Sequence, residues 1–124
     1  MDFQVSERMQ AALALIRTFV DRELVPLETA FLTQPFRSLL PELAKKRAKV
    51  KQMGLWAPGH PQELGGLGFD LVDLGLVSEA LGRTPLGHFV FGCHAPDAGN
   101  VEILHLHGTP EQKRRWLAPL VAGE

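Results

Sequence analysis

Residues Met53 to Gly68, MGLWAPGHPQELGGLG, constrain the fold more than any other stretch. Between Trp56 and Gly68 lie two prolines and four glycines. Proline removes an amide donor and glycine loosens the backbone, so neither helix nor strand persists through such a run. The chain must therefore divide into two parts joined by a loop. Its 124 residues, 45% hydrophobic, suffice for one small domain with one core, residues 1–124.

Before the loop, Met9, Leu13, Ile16, Val20, Leu24 and Leu27 recur at spacings of three and four. That is the buried stripe of an amphipathic helix, widened by Leu15 and Phe19 and started at an N-cap Ser6. Arg17 and Asp21, four apart, form an outer pair worth ~0.3 kcal/mol. Pro26 predicts a kink or break. Thr33–Pro41 reads as a connection, with Pro41 in the first turn of a second helix. Leu39, Leu43, Val50 and Met53 form that helix's stripe, and Gly54 ends it.

After the loop, Asp70 caps a third helix, with Asp73 in its first turn and Leu71, Leu74, Val77 and Leu81 inward. Gly82 ends it. The short apolar run Pro85–Ala95 reads as a short helix. A fourth clear helix begins near Pro96 or Asp97 and ends at Gly108, with Val101, Ile103 and Leu104 inward. Thr109, Pro110, Glu111 and Gln112 then spell a capping box with an N1 proline. The last helix carries Trp116, Leu117 and Leu120, and Pro119 disturbs its end. No segment alternates with period two. The class is all-α, an irregular helical bundle of about five to six helices.

Thirteen basic and fourteen acidic residues leave a net charge of −1, which gives no global field for nucleic acid. One cysteine, Cys93, excludes an internal disulfide and fits a reducing compartment. No apolar run reaches the roughly 18 residues of a membrane span. The opening MDFQVSERMQ has neither the basic nor the apolar region of a leader peptide. These features describe a soluble, cytoplasmic protein.

No complete catalytic set emerges. The cluster Gly65, Gly66, Gly68 lacks the strand and spacing of a dinucleotide fingerprint, and it lacks the Lys-Ser/Thr end of a P-loop. Asp70 would repel an anion there, so a turn is the better reading. His105 and His107 are two apart on a helix, and His88 and His94 are separated by Gly92, so neither pair has metal-ligand spacing. Cys93 and His94 are sequence neighbours whose side chains diverge, which favours a structural cysteine over a nucleophile–base pair. Lys45, Lys46, Arg47, Lys49 and Lys51 read as a solvated helix face near a C-terminus. An anion-binding surface is the rival for that run. Glu63 has no chemical role that the sequence reveals, and no two acids converge.

Several segments, in order, resemble the acyl-CoA dehydrogenase family. They are Ile16–Glu28 (IRTFVDRELVPLE), the GLW…P…E…GG.G loop from Gly54 to Gly68, Glu79–Arg83 (EALGR), and Gly108–Glu124 with its EQK, WL and P…GE. Phe91–His107 is similar to a branch with an APD.GN.E.LH pattern. The resemblance covers nearly the whole chain. It implies the N-terminal helical domain only, with the flavin-binding β-domain and the C-terminal helical domain absent. It implies an oxidoreductase of fatty-acid β-oxidation that performs α,β-dehydrogenation of acyl-CoA thioesters. A glutamate takes the α-proton and FAD the β-hydride, and both are held mainly by the absent domains. The segment alone then has no catalytic or cofactor-binding residue. The first region would form one wall of the acyl pocket, with Val90, Phe91, Cys93, His94 and Ala95 as lining positions, plain core being the rival for these five. An apolar patch around Phe89–Ala95 of roughly 400 Å² or more would mark where later domains dock. Implied partners are the acyl-CoA substrate and the remaining domains or a complementing subunit, in a homo-oligomer if full length. The alternative is a stand-alone helical module that complements a partner or binds a lipid-like ligand.

Overall fold

The computed structural model describes residues 4–124, so the first three residues of the acidic opening lie outside the described residues. α1 (Glu7–Phe19) starts where the Ser6 hydroxyl accepts from the Met9 amide at 3.2 Å. It widens into a π turn, Val20–Leu24, and tightens into a 3₁₀ turn, Val25–Leu27, at Pro26. α2 (Glu28–Thr33) follows, then α3 (Phe36–Gln52). The Met53–Gly68 region is irregular apart from a 3₁₀ turn at Gln62–Leu64. α4 (Leu71–Leu81) is capped by Asp70, whose carboxylate accepts from the Asp73 amide at 2.9 Å. α5 (Gly87–Val90) is one turn long. α6 is Asp97–His107. A final rod runs through α7 (Pro110–Gln112), a π turn (Lys113–Leu117) and α8 (Ala118–Ala122). The Thr109 capping box forms in both directions, at 2.8 and 3.2 Å. Among the described residues there is no strand, and no helix is long and apolar enough to cross a membrane.

The core is built from α1, its π turn, α3, α4 and α5. Met9, Leu13, Ile16, Phe19, Val20 and Leu24 meet Leu39, Leu43, Val50, Val77, Leu81, Leu86 and Phe91. α1 packs on α4, and α3 packs on α5. α6 leans instead on the final rod and buries only Val101.

Several expectations are corrected. The connection before α3 is only Gln34–Pro35, because Pro35 takes the N-cap position. Pro41 lies inside α3 on an exposed face, where the missing amide bond is tolerated. Leu15 and Met53 are exposed, and Leu71 on α4 is 85% exposed. Ile103 and Trp116 also face outward. Periodicity identifies a stripe, but neighbouring elements decide how much of it is covered. Asp21 pairs with Arg83 at 3.3 Å, across helices rather than along one to Arg17. Pro119 does not end its helix. It stands in the first turn of α8, and the disturbance is the π turn ahead of it.

Candidate functional site

The turn after α4 brings Gly87 against the end of that helix. A Cβ at Gly87 would stand 2.2 Å from the Leu81 carbonyl oxygen, so only glycine permits the contact. α5 then drives Val90 and Phe91 into the core, both at 0% exposure. Phe91 meets Phe19 edge-on at 5.5 Å, and its carbonyl accepts from the Ala57 amide at 2.8 Å. Gly92 turns the chain with φ +69° under the Trp56 ring, where a Cβ would lie 2.5 Å from a ring carbon.

The next three residues face three ways. Cys93 is half-buried and opens onto a groove of about 600 Å³ shared with residues of α4 and α6. Burial pushes its thiol up to about 12. His94 meets Phe89 edge-on at 5.1 Å, and its Nε2 lies 3.2 Å from an Asp97 carboxylate oxygen. Its Nδ1 is buried without a hydrogen-bond partner. Ala95 is exposed. So Cys93 and His94 do diverge. Of the five expected lining positions, Cys93 reaches the groove, while Val90 and Phe91 pack in the core behind it.

The groove is lined by Leu71, Leu74, Val101 and Leu106, with His60, Ser78, Glu102 and His105 as its polar side chains. His88 Nε2 lies 3.3 Å from the Ser78 hydroxyl. Burial lowers the pKa of both His60 and His88, and for His88 the neighbouring His94 lowers it further. These imidazoles are therefore biased to the neutral form. A largely apolar concavity with a few fixed polar groups is the usual form of a small-molecule site. Among the described residues, no three His, Cys, Asp or Glu converge as a metal site.

The glycine loop turns its amides on itself. Gly65 donates to Gln62 O, Gly66 to Pro61 O and Gly68 to His60 O, at 2.9 to 3.1 Å. A fan of free amides for a phosphate is therefore not presented by these three residues. Glu63, without an expected role, pairs with His105 at 3.4 Å.

The basic run is only partly a solvated face. Lys46 and Lys49 converge on Glu23, at 2.6 and 3.0 Å, and hold its carboxyl below the usual range. Arg47 is inserted between Trp56 and Phe89, 4.7 Å from each ring centroid. It donates to the carbonyls of Phe89 at 2.6 Å and Gly123 at 3.2 Å. Lys51 donates to Ala122 O and lies over Trp56, whose indole donates to Val121 O at 2.9 Å. The sequence carried a signal for this clamp. Arg47 falls four after Leu43 and three before Val50, on the apolar stripe rather than the polar face. A second groove, of about 740 Å³, lies beside the clamp between the glycine loop and the final rod. Nothing in the sequence pattern announces it.

The expected apolar patch does not centre on Phe89–Ala95. Near Phe89 it is supplied by Phe36 and Leu40, each about two-fifths exposed. Other exposed apolar side chains lie on α4 (Leu71, Val72) and α6 (Ile103, Leu106).

The family model of the acyl-CoA dehydrogenase N-terminal domain matches residues 6–124. Human "Acyl-CoA dehydrogenase family member 11" is 36% identical over 131 residues, covering 98% of this chain and 16% of that protein. The "(R)-benzylsuccinyl-CoA dehydrogenase" of Thauera aromatica is 31% identical, covering 100% of this chain and 33% of the relative. A solved structure from Mycobacterium abscessus, described as an acyl-CoA dehydrogenase, superposes with a TM-score of 0.86 at 36% identity. That match covers 97% of this chain and 33% of the other. The chain thus spans between one sixth and one third of the length of these relatives. By sequence and by fold, it belongs to the acyl-CoA dehydrogenase family, and residues 6–124 match that family's N-terminal domain.

Proposed function

We propose that this chain is the N-terminal helical part of a cytoplasmic FAD-dependent acyl-CoA dehydrogenase, acting in the α,β-dehydrogenation of acyl-CoA thioesters. Its contribution is a wall of the acyl pocket and a packing face for the other domains. The observation that carries this reading is the groove of about 600 Å³ onto which Cys93 opens, apolar along Leu74, Val101 and Leu106. Cys93 is the ligand-side residue of segment 90–95 at this groove, with His94 and Ala95 flanking it. Val90 and Phe91 fix that segment from behind, since both are fully buried. An apolar wall of this kind excludes water and orients the acyl chain.

FAD would accept the β-hydride in the complete enzyme. The glycine loop does not fit a flavin's phosphates, because its amides are bonded internally. Flavin contacts and the base that removes the α-proton are therefore assigned to domains beyond these residues.

The test is purification from the native host, followed by intact denatured mass, native mass, absorbance spectrum and turnover of an acyl-CoA series with an artificial electron acceptor. We expect a polypeptide several times 13.7 kDa, oligomeric, with bound flavin and acyl-CoA oxidation. A 13.7 kDa polypeptide without flavin or turnover would overturn this reading. The second reading, a stand-alone module that complements a partner or binds a lipid-like ligand, draws on the closed core of α1, α3, α4 and α5.

A further inference from the structure

The second groove has a chemistry distinct from the first. Its apolar lining comes from Trp56, Leu64, Leu117 and Val121. Its charged members are Lys51, Lys113, Arg114 and Glu63, with His105 beside the last. Two of these are already engaged. Lys51 is held by Ala122 O and the Trp56 ring, and Glu63 by His105. Lys113 and Arg114 make no ion pair among the described residues. They follow each other in the π turn that lines the groove. The charge lining the groove is therefore net positive, three cations against the one carboxylate of Glu63, beside an apolar trough.

We propose that this groove binds a single-tailed anionic amphiphile, with the carboxylate of a medium- or long-chain fatty acid on Lys113 and Arg114 and the alkyl chain along Trp56, Leu64, Leu117 and Val121. Size agrees with charge. A volume near 740 Å³ lies within the roughly 300–1,000 Å³ of small-molecule sites. A chain of about ten methylenes, as in dodecanoate, gains enough from partial burial to bind an open trough. The site adjoins the Cys93 groove at His105, which lines both, and does not depend on the dehydrogenase reading.

Dodecanoate is the probe, titrated below its micelle concentration into the purified chain. Binding is read by isothermal calorimetry and by Trp56 fluorescence, with Trp116→Phe as the background that leaves one indole. We expect saturable binding of one dodecanoate per chain. Dodecanol should bind more weakly, and the Lys113→Glu/Arg114→Glu variant should lose ~10-fold in affinity, since each exposed ion pair is worth a few tenths of a kcal/mol and reversal makes it repulsive. Ala118→Trp, which fills the trough from its lining, should abolish binding while the melting temperature stays within a few degrees. Absence of binding at 1 mM, or affinity unchanged in both variants, would overturn the proposal and leave the groove as a packing face for polypeptide.

Discussion

Arg47 is the most informative residue to perturb, because one side chain ties α3 to both α5 and the end of the chain. Consider Arg47→Met, which keeps the apolar stem and removes the guanidinium. The variant loses two hydrogen bonds to carbonyls, at 2.6 and 3.2 Å. Bonds from a charged donor contribute about 1.5–3 kcal/mol each. It also loses contacts with the faces of Trp56 and Phe89, about 0.5–1 kcal/mol apiece. Against this stands the desolvation of the cation, the same burial that lowers its pKa, which removes several kcal/mol of the gross gain. The net expected loss is about 3 kcal/mol. Unfolding entropy of about 2.1 cal/mol/K per residue gives about 0.26 kcal/mol/K for a 124-residue chain, so the midpoint should fall by roughly 11 °C. Thermal unfolding followed by far-UV circular dichroism and by tryptophan fluorescence would measure it, and coincident curves would justify two-state treatment. Arg47→Lys keeps the charge but cannot lie flat between two rings while bridging two carbonyls, so it should recover less than half of the loss. A drop below about 3 °C for the methionine variant, or full recovery with lysine, would refute this account of the clamp.

Four further outcomes follow from the geometry. Phe91→Ala removes a fully buried ring and should cost about 3–5 kcal/mol in urea unfolding, with the slope unchanged. Gly92→Ala should destabilise by more than the ~1 kcal/mol of a φ penalty alone, because the new methyl meets the Trp56 ring; an altered tryptophan emission spectrum would show it. Cys93 should react with a disulfide reagent at pH 8 at least tenfold slower in the native state than in urea, since its thiol is pushed up to about 12. Glu23 is held low mainly by hydrogen bonds from Lys46 and Lys49, so its unfolded form takes up protons first as pH falls. Its stabilising contribution is present above the ordinary glutamate value of 4.5 and is lost as pH falls through the lowered folded value. Glu23→Gln should therefore flatten the acid limb of the melting temperature against pH, and added salt should shrink the difference.

The sequence was most legible where the chemistry is local. Ser6, Asp70 and Thr109 cap helices through side chains that reach only three residues ahead, so residue type and spacing suffice. Phe19, Leu24 and Leu43 were legible as core because their stripes are strongly periodic. Legibility failed where coverage depends on distant elements. Leu71 shares the α4 stripe with Val77 and Leu81, yet it stands 85% exposed at the start of the helix. On α6 the period is helical but only Val101 is buried, since that helix leans mainly on the final rod. For the candidate site, sequence resemblance pointed to segment 90–95, of which Cys93 borders the groove. Which side chains point inward depends on the single turn of α5, and no pattern predicts that. Arg47 was masked by its basic neighbours, although its spacing placed it on the buried stripe.

Each π turn ends two residues before a proline: Val20–Leu24 before Pro26, and Lys113–Leu117 before Pro119. A proline ring collides with the carbonyl four residues earlier, and a widened turn gives that carbonyl room. Both π turns are thus favoured by local covalent chemistry as well as by the rest of the domain. A peptide of residues 7–33 or 109–124, once helical, should carry its widened turn with it. Assembly then joins segments whose irregularities travel with their own prolines.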